Sequence, residues 1–444
     1  MDPLNGEKQE IGHLPRNARG VGHVRWWIVW TLFFSTVTNY ISRQTFSVLS
    51  PMLAVQYHLS HTDIGRILGA FQMSYAVTWL LGGIFLDAFG TRLGLGIAVS
   101  FWSLVNIVTG FANSPFGFAT SRFFLGIGEG FNWPGASKTV AEWFPDDERG
   151  IAVAIFDSGS SVGGALAAMV IPWIAIVFGW RWSFVFSGVL GFVWLMMWLY
   201  NYHPLDQHPR VSPGEVARIR AGQETAHLSH GNGIQKWLAL ARSRNVWGIV
   251  LGRALTDPIW WFYVFWLPQY LSDARGFSLQ RIAMYAWLPF VAADLGNFTG
   301  GLVSRLCIRH GVSVIRARMG VCAVSCLPIL AGIPAAHVHS AYAALALVCV
   351  TLWGYASWST MGLTLPSDLF PQDVVATVTG LSGFAAGVVG TAFTLAVGFL
   401  VDRFSYTPAF VAAALMPIVA TVCLFCLITP PSGKSIVTES CQSD

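Results

Sequence analysis

Apolar runs of about 20 residues or more recur along the whole chain, the length a helix rising about 1.5 Å per residue needs to cross a hydrocarbon core about 30 Å thick. Composition agrees: 54% of the 444 residues are apolar and only 11% are Asp, Glu, Lys or Arg, against about 25% charged residues in an ordinary soluble domain. A soluble enzyme, a disordered chain and a disulfide scaffold are excluded. A membrane β-barrel is excluded too, because its strands would be about 10 residues long with strict alternation. The expected fold class is all-α integral membrane.

Gly, Pro and charged breaks divide the runs into twelve expected spans: 25–53, 64–88, 93–112, 116–141, 150–178, 181–202, 246–272, 279–306, 314–335, 340–365, 372–401 and 407–428. The expected organisation is a tail (1–24), a six-helix bundle (25–202), a hydrophilic linker (203–245), a second six-helix bundle (246–429) and a tail (430–444). Of the 26 Lys and Arg residues, 18 fall on the side of the tails and linker, five fall on the other side, and Arg43, Arg122 and Arg253 lie within spans. The positive-inside rule then puts both tails and the linker in the cytoplasm of a cell (inner) membrane protein. The first 24 residues are polar and charged, with no apolar core, so no signal peptide is expected. The seven cysteines (Cys307, Cys322, Cys326, Cys349, Cys423, Cys426, Cys441) sit almost all in apolar stretches and are expected as core residues, not bridges or metal ligands.

An internal repeat supports a duplicated unit. Trp143-Phe144-Pro145-Asp146-Asp147 leads into span 5, and Leu369-Phe370-Pro371-Gln372-Asp373 leads into span 11. At the same offset Val162 and Gly164 align with Val388 and Gly390. Two such bundles facing each other leave a cavity near the bilayer midplane, the geometry of alternating access.

Ionisable residues inside spans cost about 2.5–3.5 kcal/mol each on insertion scales, so they mark function or pairing. Seven stand out: Arg43, Arg122, Glu129, Asp157, Arg253, Asp257 and Asp294. In Asn39-Tyr40-Ile41-Ser42-Arg43-Gln44-Thr45, Asn39 and Arg43 share a helix face, so that stripe points into the bundle. Arg43 lies about 24 Å along the helix from Trp27, deep in the membrane, where a guanidinium can take a substrate carboxylate or a structural acid in a bidentate fork. Arg122 and Glu129 lie two turns apart on one face of span 4. They form either a proton carrier (Glu129) with its modulator (Arg122) or a static pair. Arg253 and Asp257 have the spacing of a local salt bridge, with gating or proton relay as the alternative. Asp294 serves either a relay or an arginine elsewhere. Asp157 lines at most the inner vestibule. The glycines that follow it (Gly159, Gly163, Gly164) suit close helix packing rather than phosphate binding.

With 20 Trp and 31 Phe, most aromatics are core or interface anchors. Tyr75 (span 2), Tyr263 and Trp266 (span 7), and Tyr355 and Trp358 (span 10) lie beside polar positions. They are candidates for sugar stacking or hydroxyl binding.

Gly83-Ile84-Phe85-Leu86-Asp87-Ala88-Phe89-Gly90-Thr91-Arg92, after span 2, resembles the signature loop of the major facilitator superfamily. There Asp87 can face the positive N-terminal end of the eleventh helix and Arg92 can pair with nearby acids, a gating latch. With Arg122-xxxxxx-Glu129 and Glu142-Trp143-Phe144-Pro145-xx-Glu148-Arg149, the chain is similar to the anion:cation symporter branch, and within it to bacterial hexuronate permeases. The supporting segments are Trp247-Gly248-Ile249, Asp257-Pro258-x-Trp260, Trp266-x-Pro268, Ile282-Ala283-Met284-x-Ala286-Trp287, Ala293-Asp294-Leu295-Gly296, Ser367-Asp368-x-Phe370 and Val375-Ala376-Thr377. The resemblance implies a twelve-helix fold of two pseudo-symmetric bundles and proton-coupled import of galacturonate or glucuronate. It implies that Arg43 holds the substrate carboxylate and that Glu129 is the coupling acid, which Asp257 or Asp294 would assist; Asn39 and Gln44 in the polar segment of span 1 are further substrate-binding candidates. Many sugar-acid relatives carry Asp just before the helix-1 arginine; this chain has Ser42 and lacks that second proton site.

The expected function is a monomeric secondary transporter whose partners are the lipid bilayer, a small carboxylated sugar and protons. No nucleic acid, metal, cofactor or catalytic residue is expected. One alternative keeps the fold and changes the cargo to an aldonate, aldarate, tartrate or aromatic acid. A proton-driven exporter is disfavoured because Gly159 to Gly164 contains no Pro, and a membrane enzyme because no nucleophile–base spacing or catalytic domain is present.

Overall fold

The computed structural model describes residues 23–223, 240, 242–370 and 372–429. Most of both expected tails, Cys441, and residues 224–239 of the expected linker lie outside the described residues. The helices are α1 (Val24–Tyr57), α2 (His61–Phe89), α3 (Thr91–Thr109), α4 (Pro115–Glu129), α5 (Asn132–Trp143), α6 (Asp146–Phe178), α7 (Trp180–Asn201), α8 (Pro213–Gln223), α9 (Arg244–Asp273), α10 (Leu279–Tyr285), α11 (Leu288–Arg309), α12 (Val314–Ile329), α13 (Gly332–His337), α14 (Ala341–Leu369), α15 (Gln372–Arg403) and α16 (Thr407–Leu427). No strand occurs among the described residues.

Three expected spans are each built from two helices: α4 and α5, α10 and α11, α12 and α13. With α8 lying in the linker, the remaining helices make the twelve expected spans. Among the described residues, eight stretches are long and apolar enough to cross a membrane on length and composition alone. The four that fall short are spans 1, 4, 7 and 8, which hold six of the seven charges singled out above, all but Asp157. Their low apolarity therefore marks what faces the protein interior, because lipid would not tolerate it.

Local sequence sets the helix ends. Ser60 and Asp63 form a reciprocal capping box that starts α2, and Ser114 accepts from the Gly117 amide with Pro115 in the first turn of α4. Gly90 joins α2 to α3 at φ 72°, a backbone value that side chains with a Cβ resist. The repeat is visible in the backbone: Phe144 and Phe370 each cap a helix in extended conformation, at φ −122°, ψ 135° and φ −127°, ψ 150°.

We call the side carrying residues 203–245 the linker side and the opposite one the far side. The two halves meet mainly where α2 lies on α15, with further contact of α1 with α9 and of α6 with α10 and α11. The contacts obey the duplication. A Cβ on Gly164 in span 5 would sit 2.4 Å from the Phe290 ring in span 8, and one on Gly390 in span 11 would sit 2.3 Å from Gln72 in span 2. Among the described residues, the hydrogen bonds we trace between the halves run from mid-depth to the far side. They include Trp260 to Tyr40, Thr394 to Gln72, Ser50 to Gln269 and His61 to Asp402. Side chains between the halves at mid-depth, including Trp79, Trp133, Asp157, Trp260 and Asp294, keep partial exposure. The protein is closed on the far side.

That conformation corrects the expected gating contacts. Asp87 pairs with Lys138 of its own half at 2.5 Å instead of facing the eleventh helix. Arg92 donates to the Leu199 carbonyl at 2.7 Å instead of meeting an acid. Nearby, Glu142 takes hydrogen bonds from Thr91 and Tyr202. Burial, followed by that carboxylate, pushes the Tyr202 phenol above its usual range.

Candidate functional site

Glycine lets the helices that carry the charges come together. A Cβ on Gly126 of α4 would lie 2.2 Å from Ser74 Oγ and 2.3 Å from the Phe71 carbonyl oxygen on α2. Gly159 and Gly163 of α6 likewise sit against the α1 backbone, where a Cβ would lie 2.6 Å from the carbonyl oxygens of Phe33 and Val37. Both are packing roles, as expected for small residues between membrane helices. The result holds α1, α2 and α4 around one buried charge cluster.

Arg43 Nε donates to Glu129 Oε2 at 3.2 Å, and Nη2 donates to Asn39 Oδ1 at 2.9 Å. The two charged side chains are 2% and 0% exposed, so neither faces lipid. Arg122 does not pair with Glu129: its guanidinium donates to the backbone carbonyls of Ser42 and Arg43 on α1. The expected static pair within span 4 is therefore replaced by an ion pair between spans 1 and 4. The reason is helix geometry, because Glu129 is the last residue of α4, where the helix breaks and its side chain turns toward α1. The cluster thus holds two buried guanidinium groups and one buried carboxylate, paired with Arg43 alone among the described residues, and Glu129 Oε1 has no hydrogen-bond partner.

Four rings surround the Arg43 guanidinium: Tyr75 at 4.5 Å, Tyr40 at 4.6 Å, Trp261 at 5.2 Å and Phe71 at 5.3 Å. Three come from the first half and Trp261 from the second. Beside them Trp260 stacks on Tyr355 with centroids 5.9 Å apart and planes 14° from parallel. An apolar, planar and positively charged site of this kind can hold a carboxylate on the guanidinium and a sugar face on the rings.

The other candidates fall into distinct places. Tyr75 and Tyr355 belong to this layer, and Gln44 is buried next to it with its Oε1 unpartnered. Tyr263 packs against Phe410, Trp358 donates to Thr421, and both stay inside the second half. Trp266 lies toward the far side, 3.6 Å from where a Cβ on Gly65 would be. Angular position on α9 explains this: at 100° per residue Trp266 is about 180° from Asp257, whereas Trp261 is only about 40° away. The stripe Arg253, Asp257, Trp261 was therefore legible as an i, i+4, i+8 face, yet Trp260, Trp261 and Tyr40 were missed by choosing aromatics on proximity in sequence.

Arg253 and Asp257 make the local ion pair at 2.7 Å, and Arg253 also reaches Ser382 on α15. Asp294 on α11 and Asp157 on α6 are both half-buried, on helices that pack across the two halves, and among the described residues no salt bridge joins Asp294 to an arginine. No group of three or more His, Cys, Asp or Glu placed to hold a metal occurs among the described residues.

Comparisons with known proteins agree with this architecture. A sequence profile described as Major Facilitator Superfamily matches residues 32–394. The hexuronate transporter of Escherichia coli (strain K12) is 32% identical over 424 residues, covering 95% of this chain and 98% of that one. The galacturonate transporter of Dickeya chrysanthemi is 36% identical over 286 residues, covering 64% of this chain and 82% of that one. Among solved structures, a bacterial homolog to the human lysosomal transporter Spinster, inward-facing and occupied, superposes with a TM-score of 0.73. It is 17% identical and covers 92% of this chain and 97% of that one.

Proposed function

This chain belongs to the Major Facilitator Superfamily, a transporter and not an enzyme, and we propose that it imports a hexuronate such as galacturonate or glucuronate together with one or more protons. The observation that carries this reading is a cluster of two buried guanidinium groups, Arg43 and Arg122, with one buried carboxylate, Glu129, which pairs with Arg43 while Arg122 is held by backbone carbonyls. The cluster has room in its charge balance for one more anion. The 32% identity to a hexuronate transporter over nearly the whole chain supports a sugar acid as that anion.

The coupling follows from exchange of partners. A substrate carboxylate that takes the Arg43 fork displaces Glu129 from its cation. A bare carboxylate in a buried, low-dielectric place is costly, so the displaced group is neutralised by a proton on its free oxygen. Substrate and proton then load together, and both leave when the cluster is exposed to the linker side. Tyr75, Trp261, Trp260 and Tyr355 stack or hydrogen-bond the sugar ring. Asp257 and Asp294, close to the space between the halves, are candidate relays, and Asp87, Arg92 and Arg253 candidate gating groups. The rocking bodies are residues 25–202 and 246–429. The bias of 18 of the 26 basic residues to one side supports a cell-membrane orientation with the linker and both chain ends cytoplasmic. One chain supplies the whole cluster, which supports function as a monomer.

Uptake into proteoliposomes under an imposed pH gradient, comparing galacturonate, glucuronate, galactonate and tartrate, tests the proposal. Hexuronates accumulate and the others do not. Arg43→Ala abolishes binding, and unchanged affinity would remove Arg43 from the site. Glu129→Gln loses pH-driven accumulation but retains exchange, whereas normal accumulation would move the proton role to another acid.

A further inference from the structure

On the far side, away from the charge cluster, three ionisable side chains join the two halves. His61 opens α2 in the first half. Its Nε2 lies 2.9 Å from Asp273 Oδ2, at the end of α9, and its Nδ1 lies 2.8 Å from Asp402 Oδ1, near the end of α15. A neutral imidazole has one N–H and one lone pair, so it can donate to only one of two carboxylates. With an acid on each ring nitrogen, both nitrogens donate, and the ring is the imidazolium. We propose that His61 is a positioning residue for the transport cycle: protonated from the far-side medium, it ties Asp273 and Asp402 to the first half and holds the far side shut, and deprotonated, it releases them.

The surroundings assign this job to His61. Asp402 also accepts from the backbone amides of His61 at 3.0 Å and Thr62 at 2.8 Å, so it caps the N-terminus of a helix from the opposite half. Asp273 is held by Gln269 and by the Tyr406 hydroxyl, each at 2.9 Å, and Gln269 in turn accepts from Ser50 of α1 at 2.9 Å. The other charged groups nearby are engaged elsewhere. Arg66 is nearest Asp63 on its own helix at 3.7 Å, Arg275 donates to the Tyr270 hydroxyl and to the Ala335 and Ala336 carbonyls, and Arg403 lies over Phe399. Among the described residues His61 is therefore the cation between the two acids. Its side chain keeps 29% exposure, enough for the far-side solution to titrate it. The junction is tight, since a Cβ on Gly398 would lie 2.5 Å from the His61 carbonyl oxygen. Losing one of two charge-assisted bonds there directly weakens closure.

An acidic far-side medium thus favours the closed state and slows the return to the outward-open one. This rests on the alternating-access reading above but not on the identity of the cargo. The test is far-side labelling of Thr391→Cys, which faces Gly69 of α2 on α15, by a membrane-impermeant maleimide. It uses a cysteine-replaced background without substrate, from about pH 5.5 to about pH 9, with rates corrected for thiol reactivity on an exposed control cysteine. The expected result is several-fold faster labelling at the alkaline end, rapid pH-independent labelling in His61→Gln, and slow pH-independent labelling in His61→Lys. An unchanged pH profile in His61→Gln, or no pH dependence in the parent, overturns the proposal. A second measurement uses the native cysteines: hexuronate exchange at equal pH on both sides, in Glu129→Gln, speeds up as pH rises only while His61 is present. Exchange with the same pH profile in the Glu129→Gln, His61→Gln double variant overturns the latch, while no exchange of any sugar acid by the unmutated chain fails the cargo assignment and leaves the labelling result to decide.

Discussion

A guanidinium already engaged by a carboxylate, an amide oxygen and four rings can take an incoming anion only by trading partners. That makes its geometry as important as its charge. Arg43→Lys keeps the charge but loses the planar fork and the stacking on Tyr75 and Trp261, so apparent affinity for the sugar acid is expected to fall at least about tenfold in binding titrations. Two tryptophans on one helix give a sharper contrast. Trp261→Ala removes a ring 5.2 Å from the Arg43 guanidinium and should weaken binding about tenfold, a stacking loss of roughly 1–2 kcal/mol. Trp266→Ala removes a fully buried ring on the other face of α9. It should lower the melting temperature in detergent with little selective change in affinity. Equal affinity losses in both would mean that angular position on α9 does not separate the site from the core.

Helices reach the site only where side chains are missing. With a Cβ on Gly126 within 2.3 Å of backbone and side-chain oxygens of α2, Gly126→Ala must push α4 outward and carry Glu129 away from Arg43. Expected is a loss of several degrees in melting temperature together with loss of pH-driven accumulation. Gly301→Ala, where nothing lies within 4 Å of an added Cβ, should leave both unchanged. The break that ends α4 at Glu129 belongs to this scale too. Span 4 was expected as one helix over 116–141, yet Gly130 and Phe131 interrupt it, and the interruption aims Glu129 at span 1. Apolar content alone does not reveal such a break, because Gly, Phe and Asn all occur inside continuous helices elsewhere in this chain.

At the scale of the molecule, the two halves are held together from mid-depth to the far side, chiefly by α2 on α15. A wedge there should bias the conformational equilibrium without touching the charge cluster. A Cβ on Gly387 would meet that of Ala76 at 2.4 Å. Gly387→Ala is therefore expected to raise far-side maleimide labelling of Thr391→Cys several-fold. It should leave the affinity measured on the outward-open carrier within about twofold. Slower labelling would mean that this contact does not resist opening. The same geometry fits Asp87 lying on Lys138: toward the linker side the packing of α2 on α15 loosens, with nothing within 4 Å of a Cβ added at Gly83 or Gly380.

The membrane class, the count of spans, the duplication and the polar stripe of span 1 were all written in the chain. Hydrocarbon thickness and the cost of buried charge act on local sequence, and local sequence is directly readable. The grouping of Arg43 with Glu129, the turn of Arg122 onto backbone carbonyls and the placing of His61 between Asp273 and Asp402 were decided by tertiary structure. Each joins residues far apart in the chain, and which of several possible ion pairs forms depends on helix rotation, helix breaks and glycine-permitted approach, quantities that exist only once the helices are packed.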